Sequence, residues 1–192
     1  MENDQFNFDE IWEAFEKNNQ NFLSEDDIKC YLAHLCLEKL KDSKFQVHTE
    51  GPINRTACAW KDYPFKKYEG VLNESSLKDK RKKSIRIDLV VLNKDEEIEV
   101  ATELKTVLGK DYSSRNEICD GIQNDFKKLE ALRLYSNREP KIKTKPRCYF
   151  CFVNKYGWGG EKMKKVKEKL EELKNKYPHI EVKSILRNSR NW

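Results

Sequence analysis

No apolar run in the 192-residue sequence approaches the roughly 20 residues that a membrane-spanning helix needs. The amino-terminal stretch MENDQFNFDEIWEAF has neither the basic start nor the apolar middle of a secretory signal, so a cytoplasmic protein is expected. Histidine is scarce. His34, His48 and His179 stand without ligand-spaced partners, which argues against a histidine-built zinc centre. The glycines of YGWGGEK, residues 156–162, lack the spacing of a phosphate loop and read as a strand-to-helix turn. No internal repeat is visible. The six cysteines are scattered through expected helices and strands rather than set in a small loop-rich framework, so reduced thiols are expected. Cys148 and Cys151 form a CxxC, but RCYFCFV is an apolar strand, and side chains three apart on a strand point to opposite faces. Structural cysteines are the simpler reading.

Charge is plentiful and nearly balanced: 38 Lys and Arg against 33 Asp and Glu, a net +5 that permits contact with nucleic acid without demanding it. The hydrophobic residues, 38% of the chain, are clustered and periodic, which predicts one folded domain spanning residues 1–192. A short amphipathic helix is expected over residues 9–17. A second follows Ser24, which has an acid three residues on and apolar Ile28, Leu32, Leu35 and Leu40 behind it. KFQVHTE alternates like a strand ending at Glu50. Residues 51–83, punctuated by Gly, Pro, Asn and Ser and closed by KDKRKK, read as a long loop or insertion whose mixed basic and aromatic residues suit nucleic-acid contact. Then come two alternating runs, a helix over 117–135, a strand over 147–153, a helix over 160–177 and a strand over 180–187. This order predicts an α/β domain with a mixed central sheet flanked by helices, antiparallel at the hairpin and parallel after the crossovers.

The two alternating runs, SIRIDLVVLNKDEEIEVATELKTV, carry Asp88 in the first and Glu103 and Lys105 in the second, although acids and a lysine are costly inside apolar strands. An acid, any residue and a lysine occur seven times in the chain, beginning at Asp27, Asp42, Glu103, Asp125, Glu139, Glu172 and Glu181, so the tripeptide alone means nothing. Only the copy at Glu103 is paired by a hairpin with a strand that bears another acid. A turn centred on Asp95 and Glu96 pairs Asn93 with Ile98 and sets Asp88 opposite Glu103, with Lys105 and Arg86 on the same face. Opposed carboxylates repel unless a cation neutralises them. Asp88, Glu103, the backbone carbonyl of Leu104 and waters would suit a hard ion, Mg²⁺ with Mn²⁺ as substitute. Alternatively, Lys105 and Arg86 pair with the two acids at a solvated sheet edge. Both readings depend on register, because a slip of one residue puts the acids on opposite faces.

IRIDLVV followed by VATELKTV resembles the core of the PD-(D/E)xK nuclease superfamily, to which many restriction enzymes belong. There an Asp in one strand precedes a (D/E)xK on its hairpin partner; here fifteen positions separate them. Residues 25–153 also give the family's αβββαβ order, with an αβ unit added at the carboxy end. The resemblance implies that Asp88 and Glu103 are metal ligands and Lys105 the catalytic lysine, with a further acid upstream, for which Glu50 is preferred over Glu25 and Glu38. Two features depart from the family: Ile87 stands where Pro is common, and Gln123 is followed by Lys127 rather than by the Tyr of an exonuclease-like QxxxY. Asp125 and Lys128 read as members of the polar face of the helix after the hairpin. The resemblance implies a Mg²⁺-dependent nuclease, with DNA the expected substrate. The basic residues Lys80, Arg81, Lys82, Lys83, Lys110 and Arg115 would meet the backbone. A homodimer is compatible with double-strand cutting. The alternative is a non-catalytic nucleic-acid-binding or assembly module that kept the fold.

Overall fold

A computed structural model of the chain describes residues 6–18, 22, 24–40, 45–53, 66–73, 85–107, 115–154 and 160–186; of residues 50–53, 66, 69, 72, 73, 115 and 116 it describes the backbone only. The elements run α1 (Phe8–Lys17), α2 (Glu25–Lys39), β1 (Gln46–Ile53), a 3-10 helix (Lys66–Asn73), β2 (Ile85–Leu92), β3 (Ile98–Val107), α3 (Arg115–Arg138), β4 (Arg147–Asn154), α4 (Gly160–Lys176) and β5 (Ile180–Leu186). From α2 to β4 this is the expected αβββαβ order, and α4 with β5 is the expected added unit. The α2 boundary follows the expected chemistry: the Ser24 hydroxyl accepts the Asp27 N–H while the Asp27 carboxylate accepts the Ser24 N–H.

The five strands form one mixed sheet in the order β1-β2-β3-β4-β5. β1, β2 and β3 are antiparallel in sequence, whereas β3, β4 and β5 are parallel. Helices cover both faces. On one side α1 and α2 bury Phe8, Ile11, Trp12, Ile28, Leu32 and Cys36 against Leu89, Val100, Leu104 and Cys151. On the other, α3 and α4 bury Ile122, Phe126, Leu129, Val166 and Leu173 against Val90, Ala101, Phe150 and Phe152. Cys148 and Cys151 fall in opposite layers, as the strand period requires, and burial pushes the Cys148 thiol up to about 12. No helix among the described residues is long and apolar enough to cross a membrane.

Two expectations need correction. β1 does not stop at Glu50: Gly51, Pro52 and Ile53 pair with Ile87, Arg86 and Ile85. Pro52 is tolerated because β1 is an edge strand, where a proline need not break a ladder on both sides. The interval read as loop over 51–83 also contains the 3-10 helix, which docks on α3 through buried Tyr68 and Val71. Gly70 allows the close approach, since a Cβ there would run into the Tyr135 ring. Trp60, Tyr63 and Phe65 lie outside the described residues.

The buried N–H of Ile98, the first residue of β3, donates to the Tyr68 hydroxyl at 2.7 Å. Tyr68→Phe leaves that donor orphaned and should cost about 1–3 kcal/mol, read as a lowered denaturant midpoint with an unchanged slope. An unchanged midpoint would show that the 3-10 helix does not hold the start of β3.

Candidate metal and phosphate site

The site begins with the register of the hairpin. Asn93 closes the turn, its backbone accepting Glu96 N–H at 3.0 Å and donating to the Glu97 carbonyl at 2.9 Å, while its side chain accepts from Asp95 and Glu97. Glu96 takes the left-handed conformation at φ 55°. The turn is therefore one residue tighter than expected, and Leu92, not Asn93, pairs with Ile98. Left alone, this slip would carry the acids to opposite faces. A bulge cancels it: β3 spends Glu99 as an extra residue, and Val91↔Val100, Val90↔Ala101 and Leu89↔Thr102 recover the register that points Asp88 at Glu103.

The ladder then ends one step short. Beyond Leu89↔Thr102 no further β2–β3 pair is recorded, and the Asp88 carboxylate takes the place of a ladder bond, its Oδ2 accepting the Leu104 N–H at 2.8 Å. The strand also rolls at this residue. Ile85 and Ile87 belong to the α3 layer whereas Leu89 and Val91 belong to the α2 layer, although residues two apart on a regular strand share a face. One step further along β3, Glu25 of α2 accepts the Thr106 N–H at 3.1 Å and its hydroxyl at 3.3 Å. Two backbone donors freed by the parting strands are thus taken by two carboxylates.

The expected face-to-face opposition of Asp88 and Glu103 is accordingly replaced by a split arrangement. Asp88 is neutralised from the α2 side by Lys29, whose Nζ lies 3.1 Å from Oδ1 and 3.6 Å from Glu25. Glu103 is held from the α3 side by Lys128, at 2.7 Å from Oε2, and Lys128 also pairs with Asp125 at 2.9 Å. Lys105 runs toward α3, where its Nζ lies 3.8 Å from Asp125. Gly121 leaves room beside its chain, a Cβ there falling 3.5 Å from Lys105 Cε. The pairing of the acids with Lys105 and Arg86 is not what forms: Arg86 is exposed, and its carbonyl accepts from Lys128 at 3.4 Å.

Glu103 is under electrostatic stress. It is 1% exposed, and its Oε1 finds no hydrogen-bond partner among the described residues. Burial, then the nearby charge of Asp125, raises its carboxyl well above the usual carboxylate range; Lys128 opposes this and Asp88 adds to it. Burial alone would lower the Lys128 ammonium, but Glu103 and Asp125 outweigh it and raise the group above its ordinary value.

Of the residues picked from sequence, Asp88, Glu103, Leu104 and Lys105 meet where β2 and β3 part. Glu25 reaches the same strand end, whereas Glu38 is turned away beside His34 at 3.6 Å. The Glu50 side chain and Lys80, Arg81, Lys82, Lys83 and Lys110 lie outside the described residues, as does the Arg115 side chain. Among the described residues no group of three or more His, Cys, Asp or Glu side chains converges as metal ligands. Sequence reasoning missed Lys29, Asp125 and Lys128. Asp125 and Lys128 are not on a solvated face: Asp125 is 6% exposed. The signal was present, because Asp125 stands seven residues from both Ile118 and Leu132 and three from Ile122, a core position occupied by an acid.

No family model matches the sequence, and no curated protein matches it. Among solved structures, MunI restriction endonuclease in complex with cognate DNA is similar at a TM-score of 0.43 and 11% identity, over 97% of this chain and 91% of that one. An overlap this loose carries no argument about this chain's activity.

The Glu103 shift has a stability consequence. A carboxyl whose folded pKa lies above its unfolded value stabilises the fold below the unfolded pKa, and that contribution is lost as pH rises toward the folded pKa. In chelator-treated protein Glu103→Gln should flatten this decline above about pH 4.5, the ordinary value of a glutamate. The gap from wild type should grow by at most about 1.4 kcal/mol per pH unit. Parallel melting curves for the two proteins from pH 5 to 8 would contradict it.

Proposed function

We propose that the chain is a metal-dependent nuclease that hydrolyses phosphodiester bonds of nucleic acid, DNA in the first instance, at the parting of β2 and β3. The observation that carries this reading is Glu103: an acid buried in an apolar sheet, with one oxygen unspent, in the field of Asp88 and Asp125. Such an arrangement costs stability and is relieved by a cation with oxygen preference.

The proposed donors are all oxygens, which suits Mg²⁺, or Mn²⁺ in its place. Glu103 Oε1 has no hydrogen-bond partner among the described residues and would coordinate, Asp88 stands at the neighbouring ladder position, and the Leu104 carbonyl and Glu50 would be the remaining donors of the proposed set. When bound, the ion supplies Lewis acidity, which makes hydroxide accessible near neutral pH and offsets charge growing on phosphorus oxygens. The chain's own residues do the rest. Lys105, about a quarter exposed, extends from the buried strand toward solvent and would meet the phosphate. Asp125 restrains that lysine from α3. Lys80, Arg81, Lys82, Lys83, Lys110 and Arg115 would hold the nucleic-acid backbone.

One observation favours a second reading. Lys29 and Lys128 already neutralise Asp88 and Glu103, as they would in a non-catalytic nucleic-acid-binding module whose ion pairs only hold the fold together. Activity separates the two. With Mg²⁺ or Mn²⁺ the protein should cut at least one of duplex, single-stranded, flapped or four-way DNA, and Asp88→Asn, Glu103→Gln and Lys105→Ala should each slow cleavage about a hundredfold or more. A folded protein that cuts none of these substrates, or whose three variants cut as fast as wild type, would reject the nuclease reading.

A further inference from the structure

Three lysines (Lys29, Lys105 and Lys128) and four buried or half-buried acids (Glu25, Asp88, Glu103 and Asp125) meet around the end of the β2–β3 ladder, and Lys128 stands among them where no sequence motif placed it. Its Nζ lies 2.7 Å from Glu103 Oε2 and 2.9 Å from Asp125 Oδ1, and so holds together two carboxylates from different elements, β3 and α3. Among the described residues each acid also has an oxygen without a hydrogen bond: Glu103 Oε1, and Asp125 Oδ2, which lies 3.8 Å from Lys105 Nζ. Glu103 is 1% exposed and Asp125 6%. Two buried acids bridged by one ammonium, each with an uncommitted oxygen, are an ion-binding arrangement in which the ion is tethered to the protein.

The tether is releasable. Lys128 is about a fifth exposed, and among the described residues its other hydrogen bond is to the Arg86 carbonyl at 3.4 Å on the strand edge. A lysine leaving this place carries its charge to water, where it is well solvated. A divalent ion entering without that exit would add two positive charges to a cluster in which Lys29, Lys105 and Lys128 already offset most of the acids' charge.

We propose that Lys128 is a built-in counter-ion that competes with the divalent cation for Glu103 and Asp125, so that metal entry and Lys128 release are one event, with Asp125 a further carboxylate of the metal site. This rests on the reading of Glu103 as a metal ligand. Lys128 holds the acids at close range while the ion is absent. On release its ammonium stands at the rim of the site, beside the phosphate position assigned to Lys105.

Two measurements test this without reference to cleavage. In Mn²⁺ titrations followed by the spin signal of the free ion, Lys128→Gln should bind on the order of ten- to a hundredfold tighter than wild type, Lys128→Arg no tighter than wild type, and Asp125→Asn more weakly. In wild-type protein, which needs no variant to fold, Mn²⁺ should raise the acetylation rate of Lys128 by N-hydroxysuccinimidyl acetate relative to surface Lys169, read by peptide mass. Equal or weaker binding by folded Lys128→Gln, or a Lys128 rate that Mn²⁺ leaves unchanged or lowers, would overturn the proposal. If the wild type binds Mn²⁺ and cuts DNA with either of those results, this inference falls while the nuclease reading stands. If the wild type binds no Mn²⁺ but Lys128→Gln does, the competition holds and the nuclease reading falls. Binding by neither defeats both.

Discussion

The hydrogen bond from Leu104 N–H to the Asp88 carboxylate organises this molecule. Antiparallel strands that separate leave backbone donors without partners, and a buried amide cannot be left so. Asp88 replaces the lost ladder bond at 2.8 Å, and Glu25 does the same for Thr106 one step along. β3 can then leave β2 and continue as the parallel partner of β4 through Val107. Without an acceptor at position 88 the gap would have to close or fill with water. The roll of β2 at that residue and the entry of Lys29 from α2 both follow from putting a carboxylate there.

A carboxylate inside a sheet needs a cation, and the helices supply one from each side. Lys29 sits at a buried position of α2 and Lys128 at the edge of the buried stripe of α3, so each helix docks partly through a lysine aimed at the strand it covers. Such pairs stabilise less than their geometry suggests, because both charges have been taken from water, but removing one partner is expensive. The helices are therefore held in register by groups that tolerate no slip: an α3 displaced by one residue would bring Lys127, not Lys128, to Glu103.

Periodicity made most of the architecture readable. Ser24 and Asp27 announced the α2 cap, and the strand and helix runs after residue 84 were recognisable within a few residues of their ends. The reading failed where the deciding physics is not periodic. Gly51 and Pro52 look like a stop, but an edge strand has no use for the N–H that proline lacks. The 3-10 helix is too short to show a period of its own. At the hairpin, alternation gave the register of the strand bodies, whereas the tight turn and the Glu99 bulge, two opposite one-residue errors that cancel, were invisible in it. The lysines from α2 and α3 were missed because lysine on an amphipathic helix is ordinarily surface, and only heptad spacing to Ile118 and Leu132 marks the Asp125–Lys128 edge as inward.

Counting oxygens separates what the fold accounts for from what it does not. Both Asp88 oxygens are committed, one to Lys29 and one to Leu104, and Glu25 is committed to Thr106 and Lys29. Saving the ladder end is sufficient reason for both residues. Glu103 replaces no ladder bond. Its chain enters the α3 layer, Lys128 answers Oε2, and among the described residues the other oxygen stays buried without a hydrogen-bond partner, at a sheet position that an apolar side chain would ordinarily fill. A glutamine would remove the charge and keep the volume. That the chain holds an ionisable group there, with Lys105 beside it on the same strand and a second acid brought in from α3, is the part of this arrangement that folding does not require. The case for chemistry therefore rests on Glu103 more than on Asp88, although Asp88 is the residue on which the strand geometry turns.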